Sequence, residues 1–372
     1  MGTRPACLLW STLIAAAVAA CGSDGGESHG PTPTPSRTPT PTPSAAVRAW
    51  AVAERSVLRS DDAGASWTAI AANVASERLN AIAFFDRTHG WATEAFPGRI
   101  LRTEDGGLTW EDQSASIEFD ESFAEEFNPR SVVALGRTSA IAVGGEFFGF
   151  GSFGLIFRTD DGGRRWLHVP IAPSPARFSH ADLLDVCIGS MGIGVAAGFS
   201  IEVGQTVAVT NDGGHSWTDV TGQSEAGGPI AVACAGERNL WVISGGGFGH
   251  PGRALSHSTD GGATWTRRED DLPRGVRLFS LTFPEATHGW GAGLDGIDSP
   301  IIVHTRDRGA TWTVQFQSPG VLRSIVFPTP LIGLVAGDGI VVTSDGGSSY
   351  ASGMLPAGVG MIGDVAAVVG PP

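Results

Sequence analysis

The residues of this sequence that could support acid–base chemistry are mostly carboxylates. Asp and Glu number 38 against 24 basic residues, so the formal net charge is −14. Two carboxylates on either side of a cleft can hydrolyse a glycosidic bond. Candidates fall in predicted loops, at Glu94, Glu146, Asp182, Glu202, Asp295 and Asp298. An acidic protein offers many such positions, so they do not by themselves indicate an enzyme.

Other kinds of chemistry are excluded by residue types that are absent or scarce. All 24 basic residues are Arg, which excludes a lysine Schiff base and a lysine-dependent phosphate loop. The nine His residues show no HExxH or other ligand spacing, so we predict no metal site and no cofactor. The acidic balance argues against nucleic acid as a partner.

One short motif, S/T-x-D-x-G-x-x-W, occurs seven times and sets the architecture. Its aspartates are spaced by 38 to 56 residues, the length expected for one four-stranded propeller blade. Asp and Ser/Thr side chains bind backbone amides in a tight turn, Gly supplies a positive φ, and the aromatic residue anchors the blade. The aspartates are Asp62, Asp105, Asp161, Asp212, Asp260, Asp307 and Asp345. The anchors are Trp67, Trp110, Trp166, Trp217, Trp265 and Trp312, with Tyr350 in the last copy.

We therefore predict an all-β, seven-bladed propeller of four-stranded antiparallel blades over residues 47–372. About 13 residues precede the first motif after the linker, which is room for two strands only. The run 361–369 has strand composition and no motif of its own. We expect it to complete the first blade and to close the ring. Trp50, Trp91, Trp241 and Trp290 are placed on second strands.

The motif is identified as the Asp-box, or bacterial neuraminidase repeat. Together with the phrase Thr-His-Gly-Trp at 88–91 and 287–290, it resembles the photosystem II assembly and stability factor family. That resemblance implies a protein-binding or assembly scaffold and no catalytic residues. Sialidases also carry Asp-boxes, but they use a Tyr nucleophile, and the only tyrosine here, Tyr350, occupies a box position. The alternative is a carbohydrate-active propeller that binds or hydrolyses a glycan.

The N-terminus resembles a lipoprotein signal. Arg4 precedes the apolar run 8–18, which is too short to span a membrane, and Ala19-Ala20-Cys21 matches the bacterial lipobox. We expect removal of residues 1–20, lipidation of Cys21 and anchoring of an exported protein to the cell envelope. Residues 21–46 form a Pro/Thr-rich linker.

Cys187 and Cys234 lie in adjacent repeats, and two interpretations are open for them. Buried free thiols are favoured, because small thiols pack as hydrophobes and inner strands of neighbouring blades rarely come within disulfide reach. Both cysteines align eleven residues before a glycine, at Gly198 and Gly245, which suggests equivalent strand positions. A disulfide between the two repeats is the alternative.

The longest predicted loops lie on the face opposite the box turns and combine phenylalanines with acidic residues. Such loops suit a cationic or amphipathic protein partner, such as a membrane protein or complex, and we expect a monomeric propeller. The alternative is that the phenylalanines cap the central channel. The candidate partner-binding residues are Phe147, Phe148, Phe150, Phe153, Phe248, Glu118, Asp120, Glu121, Glu125 and Glu126.

Overall fold

A computed structural model of the chain contains seven sheets, one for each box, and the four main strands of each sheet are antiparallel. It describes residues 47–370 except 95, 97, 119–126, 146–152, 173–180, 201–203, 223–230, 245–253 and 269–271, and except the side chains of Gln205 and Arg268. Over these residues the secondary structure is β-strand apart from one 3-10 turn, Ser114–Ser116. The described part of the chain has no helix that could span a bilayer. The predicted seven-bladed propeller is confirmed.

The strands follow one another around the ring, and each blade is listed here in chain order. Blade one contains β1 (Val47–Ala53), β2 (Ser56–Ser60), β3 (Thr68–Ala71) and β30 (Ile362–Val369). Blade two contains β4 (Leu79–Phe84), β5 (Gly90–Glu94), β6 (Arg99–Thr103) and β7 (Glu111–Asp112). Blade three contains β8 (Ile117–Glu118), β9 (Asn128–Ala134), β10 (Ala140–Gly145), β11 (Gly154–Thr159) and β12 (Trp166–His168).

The remaining four blades continue the series. Blade four contains β13 (Ile171–Ala172), β14 (Ala181–Ile188), β15 (Gly194–Ser200), β16 (Gly204–Thr210) and β17 (Trp217–Asp219). Blade five contains β18 (Ala231–Ala235), β19 (Asn239–Ser244), β20 (Ala254–Ser258) and β21 (Thr266–Arg268). Blade six contains β22 (Arg277–Thr282), β23 (Gly289–Leu294), β24 (Pro300–Thr305) and β25 (Thr313–Gln317). Blade seven contains β26 (Leu322–Val326), β27 (Gly333–Gly337), β28 (Ile340–Thr343) and β29 (Ala351–Ser352).

The C-terminal strand closes the ring as predicted. β30 pairs antiparallel with β1 as the innermost strand of blade one, from Val47 opposite Val369 to Ala53 opposite Ile362. The carboxylate of Asp364 accepts hydrogen bonds from the Ile82 backbone N–H in blade two and from the Ser324 hydroxyl in blade seven, at 3.0 and 2.6 Å. Blade one, which contains the first and last strands, is thus hydrogen-bonded through Asp364 to both of its neighbours, blades two and seven.

Two blades depart from the predicted four strands, because the chain adds a short strand at their outer edge. β8 pairs in parallel with β12 in blade three, and β13 pairs in parallel with β17 in blade four. Each added strand has two residues and comes from the connection that enters its blade. The sequence pattern alone does not predict these strands, since two residues carry no periodicity.

Aromatic stacks across the seams hold several blades together. Trp241 of blade five stacks on Phe283 of blade six, with ring centroids 3.7 Å apart, and Trp290 of blade six stacks on Phe327 of blade seven at 3.9 Å. The indole N–H of Trp241 also donates to the backbone oxygen of Arg308 in the next box. The second-strand tryptophans of blades five and six therefore join each of these blades to its successor. Trp50, Trp91, Trp241 and Trp290 are all fully buried.

A bulge in the first strand explains why a glycine recurs at the same position of the second strand in four blades. Register shifts occur opposite Gly144, Gly198, Gly293 and Gly337. A Cβ at any of these four positions would collide with the carbonyl group of the bulged strand, such as that of Asn128 or Asp182. Glycine is required here for close approach of two backbones and not for a positive φ.

The favoured interpretation of the cysteines is wrong, because Cys187 and Cys234 form a disulfide with a Cα–Cα distance of 5.8 Å. Ile188 pairs with Gly194, and Gly194 pairs with the box residue Thr210; in blade five Cys234 has the equivalent partner, Leu240. Cys187 is therefore one residue out of register with Cys234. Because successive strand residues point to opposite faces, the two side chains meet across the seam between blades four and five.

Candidate functional site

The seven Asp-box turns are the most regular feature of the molecule, and they are structural. In the fourth box, Thr210 donates to the Asp212 carboxylate at 2.8 Å and accepts from the Gly214 N–H at 2.9 Å. Gly214 has φ +87°, and the corresponding glycine of every box has a positive φ. Trp67, Trp110, Trp265 and Trp312 donate their indole N–H to the carbonyl group of their own box glycine. In every box the Asp carboxylate also accepts from a backbone N–H of its own turn.

The motif read from the sequence misses one position, the residue immediately before the aromatic anchor. Ser216 donates both its N–H and its hydroxyl to Asp212, at 3.0 and 2.6 Å. These hydrogen bonds lower the pKa of Asp212 to about 2, against the opposing effect of desolvation, which is the largest single contribution. Six copies have Ser or Thr at this position, and blade three has Arg165. A seven-copy alignment shows this preference, so the signal was present in the sequence.

We call the end of the propeller that carries these turns the box face and the opposite end the free face. The free face carries the connections between second and third strands and the connections between blades. The connections in which several consecutive residues fall outside the description all belong to the free face, and they serve blades two to six. Of the candidate partner-binding residues, Phe147, Phe148, Phe150, Phe248, Asp120, Glu121, Glu125 and Glu126 lie outside the described residues, as do Cys21, Glu146 and Glu202.

Phe153 and Glu118 are the two described members of that candidate set, and the structure does not bring them together. Phe153 lies at the free-face end of blade three, directly before β11, and is 37% exposed. Glu118 lies in β8, opposite Leu167 and next to the box turn. Its carboxylate forms a two-point ion pair with Arg165, with distances of 2.6 and 2.9 Å, and this pairing lowers the pKa of Glu118. Glu118 is thus engaged within blade three.

The described free-face carboxylates that could act in hydrolysis are held by neighbouring groups. Glu94 is fully buried and accepts from Arg99 at 2.6 Å, from the Ser76 hydroxyl at 2.8 Å and from the Glu77 N–H. Asp182 is bound by Arg130 at 2.7 Å, and burial raises its pKa. These donors fix each carboxylate in place.

The other two described carboxylates lie in the connection between β23 and β24. Asp295 accepts from the N–H groups of Ile297 and Ser299, both at 2.9 Å, and so shapes its own turn. Asp298 forms an ion pair with Arg277. Within the described ranges, no group of three or more His, Cys, Asp or Glu side chains is close enough to hold a metal ion.

Two further carboxylates line the central channel and tie neighbouring blades. Asp185 accepts from the Ser131 hydroxyl of blade three at 3.0 Å and from the Val232 N–H of blade five at 2.9 Å. Asp364 makes the equivalent contacts between blades seven and two. Desolvation raises the pKa of Asp185 to about 6, with a smaller contribution from the charge of Asp364. Desolvation also raises the pKa of Asp364. These residues hold inner strands together, and the sequence analysis did not single them out.

The fold and its turns define the chain as a seven-bladed Asp-box propeller. A family model described as "Photosynthesis system II assembly factor YCF48" matches residues 59–176. "Photosystem II assembly protein Ycf48" of Synechococcus sp. (strain JA-3-3Ab) is 28% identical over 208 residues, covering 54% of this chain and 52% of that protein. "Photosystem II assembly lipoprotein Ycf48" of Synechococcus sp. (strain CC9902) is 39% identical over 66 residues, covering 17% of this chain and 18% of that protein. The chain resembles photosystem II assembly factors, and the first alignment spans about half the length of the curated relative.

Solved structures share the fold. The structure titled "YCF48 bound to D1 peptide" has a TM-score of 0.55 and 20% identity, covering 80% of this chain and 87% of that chain. The GH74 xyloglucanase from Xanthomonas campestris has a TM-score of 0.61 and 14% identity, covering 86% of this chain and 52% of that chain. At these identities the likeness concerns the propeller fold alone.

Proposed function

We propose that this chain is an exported, non-catalytic propeller lipoprotein that binds a protein partner through its free face. The observation that carries the proposal is the composition of that face. Its long connections are concentrated in blades two to six, while its described carboxylates, from Glu94 to Asp298, are held by donors of the same chain. The similarity to assembly proteins supports a binding role.

The partner is proposed to be a protein, or a membrane protein complex with a segment exposed outside the bilayer. One relative's structure is titled as bound to a D1 peptide, which supports a peptide segment as the recognised element. Phe153, 37% exposed, is the described part of the proposed aromatic surface, and Phe147, Phe148, Phe150 and Phe248 complete it. Large aromatic side chains contribute much of the binding energy at protein interfaces.

The anchor is proposed to be the lipidated Cys21, with residues 21–46 as the tether. A lipoprotein among the relatives supports this assignment. The described chain begins at Val47, whose carbonyl oxygen accepts from the Ala63 N–H in the box turn of blade one. β1 therefore begins at the box face. Replacing Cys21 with Ala should abolish labelling by a fatty-acid analogue and release the protein from the membrane fraction.

The partner site is tested by cross-linking the full-length protein in its own cell envelope, followed by mass spectrometry. The site variant changes Phe147, Phe148, Phe150 and Phe153 to Ser. The matched control changes Phe85 and Leu331, which are 47% and 60% exposed on the box face, to Ser. We expect the site variant to lose at least about tenfold of the cross-links, equivalent to 1.4 kcal/mol, and the control to keep them.

Two outcomes would contradict the proposal. Equal loss in both variants would place the interface elsewhere or indicate a folding defect, which circular dichroism and the melting temperature distinguish. Release of reducing sugar from xyloglucan by the purified protein, abolished by Asp182→Asn, would favour the carbohydrate-active alternative.

A further inference from the structure

The chain covers the outer edges of some of its own blades. Ile117 of β8 lies opposite the box residue Trp166, and Ile171 of β13 lies opposite Trp217, both in parallel register. Each of these covering strands has two residues and begins with Ile. An outer strand has backbone N–H and C=O groups that point away from its sheet, and an added strand satisfies them.

Blade six differs from these two blades at its outer strand, β25. In the described parts of the chain, no strand pairs with the outer edge of β25. The connection entering blade six instead places Leu272, which is 6% exposed, in the same apolar cluster as Trp312. It then folds into a turn in which the Val276 N–H donates to the Pro273 oxygen. Within the described residues, the outer edge from Thr313 onward therefore has no paired strand.

β25 is the longest outer strand and is firmly held on its inner side. It has five residues, Thr-Val-Gln-Phe-Gln, without a charge. The Gln315 side chain accepts from the Trp290 indole at 3.0 Å and donates to the Gly346 oxygen at 3.2 Å. Phe316 packs against Tyr350 with ring centroids 4.8 Å apart. Val314 points outward and is 46% exposed.

The other uncovered outer strands are less suitable. β7 and β29 have two residues each, β7 consists of Glu111 and Asp112, and β21 includes two arginines. β3 has four uncharged residues, one fewer than β25, and Ser66 just before it forms a parallel bridge with Met354. Exposed uncharged edges of several residues are rare in soluble proteins unless another chain covers them.

We propose that the outer edge of β25 docks an extended segment of a partner protein as a fifth, parallel strand. The segment has the chemistry of the chain's own covering strands: it is free of proline and begins with a β-branched residue such as Ile. Its main-chain hydrogen bonds provide the affinity, and Val314 contacts the side chains of the incoming strand. This surface is separate from the free face.

The test uses the capped hexapeptide Ser-Ala-Ser-Ile-Glu-Phe, identical to residues 114–119, as the probe. Hydrogen exchange of the full-length protein is measured by mass spectrometry with and without saturating peptide. We expect exchange to slow at least about fivefold over 313–317, because pairing protects backbone amides. Exchange over 68–71, the comparison strand β3, should be unchanged. A peptide N-methylated at Ile and Glu has the same side chains and should give no protection.

A charged variant separates edge pairing from unspecific binding. Val314→Asp places a charge on the open edge and should weaken peptide binding about tenfold. Val321→Asp is the matched control, because Val321 is 40% exposed but precedes the first strand of blade seven. The proposal is overturned if the N-methylated peptide protects equally, if both variants bind alike, or if protection is confined to β3. Protection of 313–317 that grows with protein concentration alone would assign the edge to a second copy of this chain.

Discussion

Trp50 of blade one lies flat against Phe84 of blade two, with ring centroids 3.6 Å apart and planes inclined by 5°. The indole N–H of Trp50 donates to the Gly106 carbonyl in the box turn of blade two at 2.8 Å. One side chain thus joins its own second strand, the first strand of the next blade and the next box. The seam between blades is therefore built from defined pairs of residues.

Removing the phenyl ring from this seam should destabilise the propeller strongly. Phe84→Ala deletes a 9%-exposed ring that also contacts Trp110 edge-on at 6.1 Å. Loss of a buried phenylalanine costs about 3 to 5 kcal/mol. Urea unfolding measures the change. Phe85→Ala, at an exposed neighbour, should stay within about 0.5 kcal/mol; equal effects would mean that the stack contributes little.

Much of this architecture follows from the sequence, because the box residues act within one turn. Ser60, Asp62 and Gly64 lie within five residues, so their spacing predicts their contacts directly. Trp50, Trp91, Trp241 and Trp290 are on second strands as predicted.

The seam partners could not be derived in the same way. Phe84 and Trp91 lie seven residues apart in one blade, but the ring that stacks on Phe84 is Trp50 of the preceding blade. The register of Cys187 was inferred by aligning Gly198 with Gly245, but Gly198 lies four residues after Gly194, and the residue four after the equivalent Leu240 is Ser244. Contacts between blades depend on which face of a strand each residue occupies, and a single shift reverses that face. The role of the Phe-rich connections stays a prediction.

The disulfide joins a seam that is packed with aliphatic side chains, so its removal should cost stability. At the junction of blades four and five the Trp position is Val195, and no aromatic stack forms there among the described residues. A groove of about 800 Å³, lined in part by Met191, Ile193 and Val209, opens at this junction. Cys187→Ala with Cys234→Ala should lower the free energy of unfolding by about 2 to 5 kcal/mol. Reduction with dithiothreitol should lower the wild-type melting temperature and leave that of the variant unchanged. An equal decrease in both would show that the reductant acts elsewhere.

Because burial raises the pKa of Asp185, we expect its contribution to folding stability to increase as the pH falls from 6 to 4. The folded-state pKa of Asp185, about 6, lies above its ordinary value of 3.8, so the folded protein binds the proton more tightly than the unfolded chain. The gain from this group is complete below the ordinary pKa and is lost as the pH rises through 6. Asp185→Asn should flatten the pH profile of unfolding between 4 and 6. An unaltered slope in Asp185→Asn would show that Asp185 titrates normally.

For the box aspartates we expect the opposite effect: the stability of the folded protein should decrease as the pH falls below about 4. Hydrogen bonds from Thr264 lower the pKa of Asp260 to about 2, and those from Ser349 lower the pKa of Asp345 to about 2. A depressed folded-state pKa stabilises the protein above the ordinary value of 3.8, and that contribution is lost as the pH falls from about 4 toward 2. Thr264→Val, which keeps the shape and removes the hydroxyl, should reduce the acid-induced loss. Nuclear magnetic resonance titration of the Asp260 carboxyl carbon should show its pKa moving toward 3.8; a pKa still near 2 would assign the shift to the backbone N–H groups alone.

Because β30 closes the ring, we expect folding of the propeller to depend on the last residues of the chain, and on Asp364 in particular. Termination after Met361 removes β30, exposes the edge of β1 and leaves the Ile82 N–H and the Ser324 hydroxyl without the Asp364 carboxylate. An uncovered inner strand promotes pairing with other chains. We expect this variant to elute as oligomers in size-exclusion chromatography and to lose its cooperative melting transition.

A synthetic peptide of residues 362–370 should restore the monomer and the transition. The same peptide with Asp364→Ala should do so at least about tenfold less well, since two inter-blade hydrogen bonds are lost. Termination after Val369, which keeps all of β30, is the matched control and should behave as the wild type; monomeric, cooperative folding of the shorter variant would show that the ring closes without this strand.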